Sequence, residues 1–86
     1  MRVLIPGPLR DYTANAAVVD ADGRTLGDLL ADLDRRFPGL RLRIIDEQQR
    51  CRRHIRFFVD GMQTNELDRS LGSAREVMIV CALSGG

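Results

Sequence analysis

Residues 22–40, DGRTLGDLLADLDRRFPGL, place Leu26, Leu29, Leu30, Leu33 and Phe37 at i, i+3, i+4, i+7 and i+11. That spacing draws one apolar stripe down a helix of period 3.6. Thr25 is a good N-cap, and Asp28 three residues on makes a near capping box behind the Asp22-Gly23 turn. Asp28, Asp32 and Asp34 precede Arg35 and Arg36, the order the helix dipole prefers, and Pro38-Gly39 ends the run. No other stretch carries this periodicity so far. The stripe must be buried, and with no second long helix to receive it, a sheet is the surface left.

The flanking segments read as strands. Residues 2–5, RVLI, are short, apolar and β-rich, and Pro6-Gly7-Pro8 stops them. An irregular stretch through Leu9 and Tyr12 leads to a turn at Asn15, and residues 16–21, AAVVDA, complete an opening hairpin. Residues 41–53 are the least regular, with no more than a helical turn around Ile44 and Ile45. Residues 54–59, HIRFFV, alternate: Ile55, Phe57 and Val59 face one way, Arg56 and Phe58 the other, and Asp60-Gly61 signals a turn. Leu67 and Leu71, four apart, mark a short helical turn or a loop pinned by two leucines. Residues 76–83, EVMIVCAL, are apolar on both faces, as a central strand is. The order predicts an α+β fold: a mixed four- to five-stranded sheet with one main helix packed across it, the last strand central and parallel to the first.

Eighty-six residues hold a single domain, 1–86, with a modest core and little room for a deep cleft. A net charge of +1 supplies no bulk attraction for nucleic acid or an anionic membrane, and no stretch approaches the length that spans a bilayer. All 13 basic residues are arginine, so no side chain of this chain can accept an isopeptide bond. Cys51 and Cys81, with His54 alone nearby, do not have zinc spacing, and no metal site is expected. The apolar run in MRVLIPGPLR is too short for a secretory leader, which points to the cytoplasm.

Catalytic constellations are missing. Gly7, Gly23, Gly27 and Gly39 are scattered at turns and helix ends, not gathered in a phosphate-binding loop. Asp46-Glu47 reads as a solvated pair in a polar loop. The cluster Arg50, Arg52, Arg53 and Arg56 is diluted by those acids and has no interleaved aromatic, which argues against nucleic acid. A solvated loop is its first reading, and docking to an acidic partner its second. Phe58, with Met78 and Val80 if the final strand keeps register, makes an apolar patch on the face opposite the helix. Such a patch is a partner-docking surface unless residues 41–53 or a second copy cover it.

The sequence finishes Cys81-Ala82-Leu83-Ser84-Gly85-Gly86. Two final glycines arise by chance in roughly one chain in 200, so the pair carries weight only on a domain that uses it. Residues 83–86 are expected to be a flexible tail. A carboxylate on a residue without Cβ can be threaded into a narrow channel, because glycine lets the backbone approach closely. Transfer of AMP to it would make an acyl adenylate open to a sulfur nucleophile or an amine. Gly86 is then the modified residue, and Leu83, Ser84 and Gly85 are the part threaded into the partner.

The ββαββ order, TLGDLLADL, FFVDG, REVMIV and the final Gly-Gly together resemble the ThiS/MoaD family of ubiquitin-like, β-grasp sulfur carriers over essentially the whole chain. Ile5-Pro6, Leu9-Arg10, Thr13, Thr25-Leu26-Gly27 and residues 53–59 look most like the CysO-like carriers of cysteine biosynthesis. The resemblance implies that a ThiF/MoeB-like adenylyltransferase activates Gly86 with ATP and magnesium. A sulfur donor then makes the thiocarboxylate, and a biosynthetic acceptor enzyme takes the sulfur. On the cysteine pathway that acceptor is a pyridoxal-phosphate (PLP)-dependent cysteine synthase, and a metalloprotease frees the amino acid. The carrier itself binds no cofactor and is not an enzyme. Gly-Gly also fits the small subunit of molybdopterin synthase, and a ubiquitin-like modifier conjugated to target lysines. Three positions depart from the family pattern: Ala74-Arg75 replace a common Gly-Asp, Asp60 a frequent asparagine, and Cys81 a proline before the tail.

Overall fold

Helix α1, Leu26–Arg36, buries the stripe read from the sequence: Leu26, Leu29, Leu30 and Leu33 are fully covered, and Phe37 packs against the same core. Each buried leucine contributes about 1.5–3 kcal/mol relative to exposure. The computed structural model describes residues 1–82 and shows how the helix start is satisfied. Thr25 Oγ1 accepts the Asp28 N–H at 3.1 Å. Leu26 and Gly27 donate their N–H groups to the carbonyls of Arg69 and Leu67, at 3.0 and 2.7 Å. Amides that a helix leaves without internal partners are thus met by the 65–71 loop. That segment is a loop, held by buried Leu71 and half-buried Leu67.

Five strands form the sheet under α1: β1 Arg2–Leu4, β2 Val18–Asp20, β3 Ile55–Val59, β4 Met62–Thr64 and β5 Glu76–Cys81. Their order is β2-β1-β5-β3-β4. The last strand is central, parallel to β1 and antiparallel to β3, as its two apolar faces require. Strand β4 was not separable in the sequence. It exists because Asp60 (φ 47°) and Gly61 (φ 86°) both take left-handed conformations, the two-residue turn whose twist folds a strand back on its neighbour.

Val3, Ile5, Ile55, Phe57, Val59, Val77 and Ile79 supply the sheet side of the core. A 3₁₀ segment, Gly7–Thr13, and a short helix α2, Leu40–Ile44, close its end, burying Leu9, Leu40, Ile44 and Ile45. Helix α2 packs on α1 and on the 3₁₀ segment, so this part of 41–53 belongs to the helix side and leaves the opposite sheet face open. Asp46 is a turn builder: its Oδ1 accepts the N–H groups of Arg50 and Gln48 at 3.0 and 2.9 Å. Those bonds, Arg50's foremost, hold its carboxyl below the usual range.

Candidate docking face and tail base

Cys81 pairs with Ile55, and the Ala82 N–H donates to the His54 carbonyl at 2.6 Å, so the sheet holds the backbone as far as Ala82. Leu83, Ser84, Gly85 and Gly86, expected to be threaded and modified, lie outside the described residues. Strand β1 stops sooner. It pairs with β5 at Glu76, Val77 and Met78, and Pro6 and Pro8, which have no N–H to donate, follow. The end of β5 therefore stands beside a hollow lined by Pro6, Pro8, Arg10 and Val80.

On the sheet face away from α1, register aligns four apolar residues in one row across four strands. Leu4 lies opposite Val18 on one side and beside Met78 on the other, and Met78 lies opposite Phe58. Val80 shares that face, two residues along β5. Val18 is exposed and the other four are half-buried. Phe58, Met78 and Val80 thus come together as the alternation indicated. Leu4 and Val18 were missed. Alternation with the core residues Val3 and Ile5 turns Leu4 outward, but only the pairing between strands brings Leu4 and Val18 into the row. Charge borders the row on one side, where Arg2 pairs with Glu76 at 3.7 Å.

Around the tail base the chain is rich in arginine. Arg43 Nε donates to Tyr12 Oη at 2.7 Å, and its guanidinium lies 5.9 Å from the ring centroid. The hydrogen bond raises the arginine pKa further, so the cation is secure. Tyr12, Arg43, Arg52, His54 and Cys81 line one hollow. Within the cluster read from sequence, Arg50 and Arg52 face Asp46 and Glu47 at 3.9 and 3.7 Å. Arg56 instead donates to the carbonyls of Arg53 and Ile55, at 2.6 and 2.9 Å.

Neither cysteine is poised for nucleophilic work. Both are free and half-buried, and burial pushes both thiols up, away from the reactive thiolate. Cys81 is a small residue at a strand end. Among the described residues no group of three or more His, Cys, Asp or Glu could hold a metal, and no helix is long and apolar enough to cross a membrane. Asp60, the departure in the β3–β4 turn, fastens that turn to β5, because its Oδ1 accepts the N–H groups of Arg75 and Glu76, each at 3.0 Å.

The ThiS family model matches residues 3–86. No curated protein matches the sequence. Among solved structures, Mycobacterium tuberculosis CysO, described as an antigen, is 26% identical with a TM-score of 0.88, over 95% of this chain and 98% of that one. A chain of the Amycolatopsis orientalis BexX/CysO complex is 26% identical, TM-score 0.89, over 99% and 98%. SAMP1 from Haloferax volcanii is 25% identical, TM-score 0.77, over 100% and 98%. Fold, residue pattern and family match agree, and the chain belongs to the ThiS family of ubiquitin-like, β-grasp sulfur carriers.

Proposed function

We propose that this protein delivers sulfur from its last residue. A ThiF/MoeB-like adenylyltransferase transfers AMP from ATP to the Gly86 carboxylate and releases pyrophosphate. A sulfur donor displaces AMP, leaving a thiocarboxylate, and an acceptor enzyme takes the sulfur and returns the carboxylate. The protein is co-substrate in each step and supplies no catalytic group. The reading is carried by the family match that runs through residue 86, and so through Gly85-Gly86.

Two features support it. Beyond Ala82, four residues extend at most about 13 Å, enough to enter a channel while the folded domain stays outside. The row of Phe58, Met78, Leu4 and Val18, with Val80, offers an apolar docking face on the sheet whose central strand leads to Ala82. The similar structure of a BexX/CysO complex favours a carrier that meets protein partners. A PLP-dependent cysteine synthase, followed by a metalloprotease, is one such acceptor route in the cytoplasm, and another sulfur-containing metabolite is the alternative product.

The likeness to SAMP1 favours a second outcome of the same activation. Related structures carry the name small archaeal modifier protein, and an amine of a target lysine would then attack the adenylate in place of sulfur. Without lysine, this chain cannot build polymers on its own side chains.

ATP–pyrophosphate exchange tests the activation step. The adenylyltransferase should exchange label with the full chain and not with a chain lacking Gly86. Exchange with both chains contradicts the reading, as does exchange with neither by an enzyme active on another carrier.

A further inference from the structure

The geometry points to a basic collar, Arg10, Arg43, Arg53 and Arg56, around the tail base, which meets an acidic rim on the enzyme that adenylates the tail. The inference rests on the proposed role of the tail as that enzyme's substrate. Arg10 lines the hollow on one side of Cys81 and Arg43 the hollow on the other. Arg53 lines a third hollow that shares Arg52 and His54 with the second, and Arg56 is bonded to the Arg53 carbonyl. The 3₁₀ segment, α2 and the start of β3 thus each bring arginine to one end of the fold.

These charges are positioned but not neutralised. Arg10 Nε donates to the Ile5 carbonyl at 3.0 Å, Arg43 to the Tyr12 hydroxyl, and Arg56 to main-chain carbonyls. Every one of those acceptors is neutral. Among the described residues none of the four collar arginines has a carboxylate within salt-bridge distance; Arg24, Arg41, Arg69 and Arg75 also have none, so what sets the four apart is their gathering at the end of β5. The carboxylates lining the three hollows are Asp11 and Asp46, and Asp46 is committed to its own turn. At the other end of β5, Asp20, Asp60 and Glu76 gather around Arg2 and Arg75. The net charge of +1 conceals this polarity.

Distance identifies what the collar meets. Fully extended, the four residues beyond Ala82 span at most about 13 Å, more than the screening length of about 8 Å in physiological salt. A tail drawn out to that length inside a channel leaves the collar at the mouth rather than at a nucleotide held on Gly86. The collar faces the mouth of the channel that the tail enters, and a mouth rich in Asp and Glu complements it. A carrier must also leave after each turnover. Rim charge suits that need, because it accelerates encounter more than it prolongs the complex.

Stopped-flow association with the ThiF/MoeB-like enzyme of the same organism decides the matter. The collar variant is Arg53→Glu with Arg56→Glu. The control is Arg24→Glu with Arg75→Glu, the same change in total charge away from the collar. At low salt the collar variant should associate about tenfold more slowly than the wild type, with the gap closing as salt rises and dissociation little changed. The control should stay within about twofold of the wild type. Arg53→Gln, at an exposed side chain, should show a smaller drop with the same salt trend and guards against misfolding of the double variant. Equal slowing of collar and control variants, or a ratio indifferent to salt, overturns the collar. Pyrophosphate release followed in the same samples judges the proposed activation: a wild type that binds without releasing it contradicts adenylation, while the association rates still decide the collar.

Discussion

Phe58 on β3 lies directly opposite Met78 on β5, on the sheet face that α1 does not cover. A cross-strand pair of this kind is worth roughly 0.2–1 kcal/mol to the sheet, a small return for lining a half-open face with apolar side chains. The proposed docking of a partner on this face gives the pair a second role that can be tested. Phe58→Ala should raise the KM of the activating enzyme for this protein about tenfold, the loss typical of a central aromatic anchor, with kcat little changed. Steady-state pyrophosphate release measures both constants. An unchanged KM beside a large loss of stability would assign Phe58 to the fold alone.

Asp60 ties the β3–β4 turn to the start of the central strand, through the N–H groups of Arg75 and Glu76. It does so at φ 47°, a conformation that Asn and Asp tolerate better than other side chains. Asp60→Ala removes the acceptor and adds backbone strain, and should cost about 1–3 kcal/mol in urea unfolding. Asp60→Asn keeps an acceptor and the tolerance for positive φ, so it should cost clearly less. Equal losses would show that the carboxylate does not pin β5.

The backbone of Gly23 packs against the first turn of α1. A Cβ there would contact the Leu29 amide nitrogen and lie 2.8 Å from Leu29 Cα, and both are main-chain atoms that cannot swing away. Gly23→Ala should therefore destabilise by about 2 kcal/mol or more, displacing the helix start from the 65–71 loop. Thermal unfolding measures the loss. Amide exchange at Leu26 and Gly27, whose N–H groups bond that loop, should accelerate with it.

Asp32 gives the fold a pH dependence. The Asp22 N–H, then Arg35 and Arg36, lower its pKa to about 2, from an ordinary 3.8. A carboxyl depressed in the folded state stabilises the fold above its unfolded pKa, and that stability is lost as pH falls through the folded pKa. The wild type should exceed Asp32→Asn in Tm at pH 5–7, with the difference shrinking below about pH 4 and nearly gone at about pH 2. A Tm difference that stays constant across that range would show that the charge on Asp32 does not stabilise the fold.

What was legible in the sequence follows from how far each pattern extends. Leu26 to Phe37 repeat over three turns, and a helix of that length announces its buried face. Residues 76–80 have no polar face, which marks a central strand before any pairing is known. Strand β4 and helix α2 are three and five residues long, too short to display a period. Both are imposed from outside, β4 by the Asp60-Gly61 turn and α2 by burial of Leu40 and Ile44. The site divides the same way. Phe58 and Met78 follow from alternation within one strand each, whereas Leu4 and Val18 join them only through register between strands. Arg10 and Arg43 are far in sequence from Arg53 and Arg56, and only the 3₁₀ segment and α2 bring them to the same end.

The decisive measurement is the intact mass of this protein after incubation with its adenylating enzyme, ATP and a sulfide source, alongside a chain lacking Gly86. A sulfur carrier should gain the mass difference between one sulfur and one oxygen, and the shortened chain should gain nothing. An unchanged mass, with an enzyme shown to act on another carrier, would contradict the thiocarboxylate account; an adduct to a lysine of another protein in its place would turn the assignment to a modifier.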